Sequence, residues 1–196
     1  MRKILYFIII VTIPSSTHAQ DFGKWTNGCY YDTTGKKTCG LIRWDIPALS
    51  VLKGDGDHIF FRDTIGGSRQ KLRTDQLKAF VINGDSLVIS RADDMAYFPV
   101  LWVVINNPLK LYIRLNQETD YIQRGVNKTY YFGPDPDIIV ELTRSKFIEA
   151  MSSIVADDTK LVSAIKNKTY RYGDMDEVIE KYTAFRKTKN STSKKQ

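Results

Sequence analysis

Cys29 and Cys39 bracket a turn signal, and together they fix the geometry of the first module. Asp32-Thr33-Thr34-Gly35-Lys36 fits a three-residue hairpin loop, a type I turn closed by glycine in the left-handed conformation. With Asp32 opposite Lys36, the next pairs outward are Tyr31 with Lys37, Tyr30 with Thr38, and Cys29 with Cys39. Hydrogen-bonded and non-hydrogen-bonded pairs alternate along such a ladder, so the cysteines fall at a non-hydrogen-bonded pair. There the Cα atoms stand about 4.5 Å apart, at the low end of disulfide geometry. Closing so short a loop stabilises a fold by about 2–3 kcal/mol in the chain-entropy model. C-x-x-C spacing is absent, so the pair reads as a staple rather than a redox centre.

A disulfide needs an oxidising compartment, and the N-terminus supplies the route to one. Arg2 and Lys3 form a basic start, Ile4 to Ile13 is nearly all apolar, and Thr17-His18-Ala19 places small residues at a cleavage position. Residues 1–19 therefore read as a secretory signal peptide. The apolar run is about ten residues, against about 20 for a membrane span. No cysteine follows the cleavage point to carry a lipid. The mature chain is expected to start at Gln20, exported to the periplasm or the extracellular space, with no integral membrane segment.

The formal net charge of +7 is not spread over the body. Arg2 and Lys3 leave with the leader, and Arg186, Lys187, Lys189, Lys194 and Lys195 crowd the last residues. Without these seven charges, Gln20 to Phe185 is neutral. Nucleic-acid binding needs a basic folded face, so no nucleic-acid partner is expected. Residues 186–196, rich in Lys, Ser and Thr, read as a disordered basic tail.

Short β-like runs parted by turn signals fill residues 20–132, the expected β-rich module. Thr74-Asp75 begins a single helical turn through Leu77. Asn83-Gly84 is a hairpin signal because both turn positions need positive φ. Tyr97 to Ile105 is almost wholly apolar, as a strand buried on both faces is. Leu109, Leu111, Ile113 and Leu115 alternate with Lys110, Tyr112 and Arg114, which describes a strand with one wet face. Tyr121 to Gln123 and Lys128 to Phe132 suggest one more hairpin.

Gly133-Pro134-Asp135-Pro136-Asp137 then breaks the period, and residues 133–185 read as a helical region packed on the β module. Phe147, Ile148, Met151, Ile154 and Val155 share a helix face. Asp158 can cap a short helix carrying Leu161 and Ile165. Asp174 with Glu177 marks a third start, before a stripe of Met175, Val178, Ile179, Tyr182 and Phe185. The expected class is α+β: an antiparallel β module, open or closed into a small barrel, followed by about three C-terminal helices.

The runs Gly40 to Trp44 (G-L-I-R-W), His58 to Phe61 (H-I-F-F), Thr74 to Phe80 (T-D-Q-L-K-A-F), Gly84 to Val88 (G-D-S-L-V) and Asn167 to Tyr182 carry a resemblance. Together they resemble an uncharacterised family of small exported envelope proteins of Gram-negative bacteria. Members pair an N-terminal β module with C-terminal helices, the last carrying a K-Y pair, here Lys181-Tyr182. The cysteine hairpin is not part of that pattern. The resemblance implies the fold and an envelope location, and it brings no activity.

Chemistry is sparse. Outside the leader the chain has one histidine, His58, set in a strand beside Ile59, Phe60 and Phe61, a structural position more than a catalytic one. No G-x-S-x-G elbow is present, and one histidine with two bonded cysteines cannot build a zinc site. No metal or cofactor is expected. Asp55 with Asp57, Asp93 with Asp94, and Asp135 with Asp137 are acidic loop pairs. They suit turns, and they are also the only candidates for hydrolysis of an envelope polysaccharide. Three Asp-Ser/Thr tripeptides, starting at Asp32, Asp63 and Asp85, look like the O-glycan acceptor of some exported bacterial proteins. Trp25, Tyr30, Tyr31 and Trp44 crowd the first module. Tyr30 and Tyr31 must point to opposite faces of their strand, so one can enter the core while the other stays outside. Tyr30, Tyr31 and Trp44 are the candidate binding residues for a protein or glycan partner. A non-enzymatic binding module is the first expectation, a polysaccharide hydrolase the alternative.

Overall fold

The computed structural model describes residues 22–48, 58–117 and 125–193. The leader, Asp55, Asp57 and the run Tyr121 to Gln123 lie outside the described residues. Ten strands form one antiparallel sheet: β1 (Thr26–Asp32), β2 (Lys37–Arg43), β3 (His58–Arg62), β4 (Gln70–Arg73), β5 (Leu77–Ile82), β6 (Asp85–Ile89), β7 (Val100–Ile105), β8 (Lys110–Gln117), β9 (Val126–Asp135) and β10 (Ile138–Glu141). Three helices follow, α1 (Phe147–Ile154), α2 (Thr159–Lys166) and α3 (Met175–Ser193). The class is α+β.

The strand order is β10-β9-β8-β7-β6-β5-β1-β2-β3-β4, so the sheet has two edges and does not close into a barrel. It must nevertheless curl. β4 and β5 are joined by a 3-10 turn over Thr74–Gln76, yet β1, β2 and β3 lie between them in the sheet. In a flat sheet they would be about 19 Å apart, four strand spacings. A 3-10 turn of three residues advances only about 6 Å. The β4 edge is therefore brought round toward the start of β5 without pairing to it.

The predicted register at the cysteine hairpin is the observed one: Tyr31 pairs with Lys37, Tyr30 with Thr38, and Cys29 with Cys39. The disulfide is formed, with its Cα atoms 4.0 Å apart. Gly35 has φ 86°, the left-handed conformation the turn requires.

Alternation along the strands divides their side chains between two faces. One carries the main core, where Ile42, Trp44, Phe80, Leu87, Leu111, Ile113 and Tyr130 meet Phe147, Met151, Ile154, Ile165, Val178 and Tyr182 of the helices. The other carries a smaller cluster of Leu101, Tyr112 and Tyr131, covered by Met95 from a 3-10 turn over Asp93–Met95. That cover corrects the expected wet face of β8. Tyr112 is fully buried, and Arg114 lies over the Tyr131 ring, 5.2 Å from its centroid.

Two expected boundaries move. The segment Gly133 to Asp137 does not end the β module: β9 runs through it to Asp135, and the chain folds back as β10, with Ile138 opposite Asp135. Gly133 permits this, because a Cβ there would sit 2.0 Å from the Ile138 carbonyl oxygen. At the other end, α3 continues to Ser193, so residues 186–193 are helical rather than a disordered tail. The cause is Asp157, after α1. Its Oδ2 accepts from Arg186 Nη1 at 3.1 Å and Lys189 Nζ at 3.2 Å, which anchors the extra turns. Its Oδ1 accepts from the Tyr182 hydroxyl at 2.5 Å, and Asn107, in the β7–β8 turn, donates to the same hydroxyl at 2.6 Å. That phenol thus ties α3 to the β7–β8 turn, as Asp176 ties it to Lys128 and Tyr130 of β9.

The helix starts follow the residues that announce them. Asp158 caps α2, accepting from Leu161 N at 3.1 Å. Asp174 closes the turn before α3 by accepting from Arg171 N at 2.8 Å. Ile148 departs from its expected stripe: α1 buries Phe147, Ala150, Met151 and Ile154 and leaves Ile148 outside.

Candidate functional site

A cleft of about 620 Å³ opens beside the tip of the cysteine hairpin, between β5, β6 and the β9–β10 turn. One wall is that tip, with Tyr31 and Thr33. Asp32 organises it: its Oδ1 accepts from Thr34 Oγ1 at 2.6 Å, Thr34 N at 2.9 Å and Lys36 N at 3.0 Å. The Thr34 hydroxyl, with the two amides, holds the Asp32 carboxyl below its usual range against the opposing effect of desolvation. The disulfide two pairs further in ties the tip's two strands together.

The floor is largely apolar, lined by Leu77, Ala79, Val88 and Ile89. Tyr31 pairs across β5 with Ala79, and Ala79 pairs across β6 with Val88. The β1–β5 register shifts between Tyr31 and Asp32, where Asp32 faces Leu77. A large ring opposite alanine leaves space beside it, and that space is the cleft.

The far wall is built by Arg91. Its Nη2 donates to the carbonyls of Thr74, Asp75 and Leu77 at 3.0, 3.3 and 2.9 Å, which holds the turn between β4 and β5. Arg91 N donates to Asp137 Oδ1 at 2.5 Å, and Ser90 Oγ donates to the Pro136 carbonyl at 2.6 Å. Asp137 N donates to Asp135 Oδ1 at 3.0 Å. Both carboxylates line the cleft, and both already accept from backbone amides. Tyr112 is buried nearby, and its hydroxyl has no partner among the described residues. Its pKa is pushed up to about 12, first by burial and then by Asp135 and Asp137.

The three candidate binding residues end in different places. Tyr31 lines the cleft, with Lys37 Nζ 5.9 Å from its ring centroid. Tyr30 points to the other face and stacks edge-on against Phe61 at 5.1 Å. Trp44 is a correction: it is 1 % exposed, wedged between Phe22 at 5.1 Å and Phe80 at 5.9 Å, and contributes no surface. The physical reason is the curl, which turns the end of β2 into the core. Asp93 and Asp94 sit on an exposed 3-10 turn away from the cleft lining. His58 is half-buried and packs edge-on against Phe60 at 4.8 Å. Thr33, Thr64 and Ser86, the acceptor positions of the three tripeptides, are all exposed.

Sequence reasoning missed Arg91 and the alanine floor. A single arginine after a strand carries no local signal when its acceptors lie 14 to 17 residues away. Among the described residues no group of three His, Cys, Asp or Glu side chains converges to hold a metal ion, and no helix is long and apolar enough to cross a membrane. No protein-family model matches the chain, and no curated protein or solved structure is significantly similar to it.

Proposed function

We infer that this chain is an exported, non-enzymatic envelope protein that binds a protein or glycan partner in the cleft beside Tyr31. The observation carrying the reading is the cleft itself: an open apolar floor, an aromatic ring at the rim, and walls fixed by a disulfide and by Arg91. Preformed concave surfaces of this kind lose little freedom on binding, and a tyrosine at the rim offers both an apolar face and a hydroxyl. Export rests on the leader-like residues 1–19, with which the disulfide is consistent. The envelope location rests on the family resemblance.

A second reading has one observation in its favour, since Asp135 and Asp137 line the same cleft and paired carboxylates serve polysaccharide hydrolysis. Their backbone bonds favour the turn role. Crosslinking in intact cells, with mass spectrometry of the adduct, separates the two. A partner captured by the natural chain and lost in Tyr31→Ala supports binding. No adduct, together with polysaccharide cleavage that Asp135→Asn abolishes, reverses the assignment.

A further inference from the structure

A second cleft, of about 430 Å³, lies where the residues before α1 meet the connection between α2 and α3. Its walls bring together three cations, Arg144, Lys168 and Arg171, and the rings of Phe147, Tyr170 and Tyr172. Among the described residues none of the three cations is paired with a carboxylate, in contrast to Lys128 with Asp176 or Arg186 with Asp157. Asp174 is the one acid in the lining, and its carboxylate is engaged by Arg171 N at 2.8 Å. The excess is therefore positive, and a cleft with low-dielectric walls concentrates that field.

The arrangement is held before any ligand arrives. Lys168 has φ 61°, and the turn containing it is locked by Lys168 N to the Ile165 carbonyl at 3.0 Å and Thr169 N to the Ala164 carbonyl at 2.9 Å. Tyr172 is set edge-on against Phe147 at 6.4 Å and Tyr130 at 6.2 Å. Tyr170 is fixed by its hydroxyl, which donates to Glu177 Oε1 at 3.3 Å. Fixed rings offer apolar faces to the C–H faces of a sugar, and the surrounding cations offer charge-assisted hydrogen bonds to an acid.

We propose that the cleft formed by Arg144, Lys168, Tyr170, Arg171 and Tyr172 binds an acidic saccharide, one bearing carboxylate or phosphate groups. The site is separate from the cleft beside Tyr31 and does not depend on it.

Isothermal titration of the full chain with trigalacturonate, glucose 1-phosphate, neutral galactotriose and inorganic phosphate tests the proposal. The comparison chain is the triple variant Arg144→Gln, Lys168→Gly, Arg171→Gln. Glycine at 168 keeps the left-handed backbone, and all three side chains are exposed, so an unchanged thermal midpoint verifies the fold. Binding of trigalacturonate or glucose 1-phosphate, weakened about tenfold or more in the variant and by added salt, is the expected result. Whichever acid binds more tightly identifies carboxylate or phosphate as the natural group. Four results would overturn the proposal: no binding of either acid, equal binding by the variant, galactotriose binding as tightly as the acids, or inorganic phosphate matching the sugar acids.

Discussion

On one face of the sheet, three helices and the inner side chains of the strands share a single core that includes Trp44, Phe80, Leu111 and Tyr182. On the other, Met95 covers a patch of Leu101, Tyr112 and Tyr131, and the surface then falls open into the cleft at Tyr31. The first arrangement is continuous and deep. The second is shallow, a small patch under one 3-10 turn. Burial scales with stabilisation, so the helix face holds the fold together, whereas the opposite face gives up burial for a concave surface.

The comparison is most exposed at Trp44. Trp44→Ala removes an indole from the deep face and is expected to destabilise by about 3–5 kcal/mol in chemical denaturation. Met95→Ala opens the shallow face, where the expected loss is about 2–3 kcal/mol because fewer groups depend on it. Equal losses for the two substitutions would erase the distinction between the faces.

Replacing Cys29 and Cys39 by serine is expected to cost about 2–3 kcal/mol, measured as a fall in denaturation midpoint. Acid unfolding sharpens the role of Asp157. The Tyr182 hydroxyl, then Lys189 and Arg186, hold its carboxyl below the ordinary aspartate range. A depressed folded pKa means the stabilisation is complete above about pH 4 and is lost as pH falls through the folded value. Stability measured between pH 5 and 2 should therefore fall less steeply in Asp157→Asn, although Asp32, depressed as well, keeps part of the slope. Smallest is Tyr31→Ala, expected to change stability by about 1 kcal/mol or less while removing partner binding.

The pattern of legibility follows the range of the interactions. The hairpin register could be counted from one turn, because glycine and the turn residues set the pairing locally. Asp158 announced α2 for the same reason: its acceptor lies three residues from its donor. Trp44 misled because a strand's alternation says which residues share a face, and the curl of the sheet decides which face is closed. Residues 186–193 read as tail by composition, but Asp157, some thirty residues earlier, supplies the charge that makes them helix. Only Tyr31 of the three proposed binding residues reached the cleft, and its wall at Arg91 depends on contacts that no local spacing encodes.

Site-specific photo-crosslinking in intact cells measures the division between the faces most directly. A photoreactive residue replaces Thr33 at the rim of the cleft in one chain, and Thr183, exposed on α3, in another. A discrete adduct from position 33, abolished by Tyr31→Ala and absent from position 183, is the expected result. Adducts of equal yield from both positions, or none from position 33, would contradict the assignment of the open face to binding.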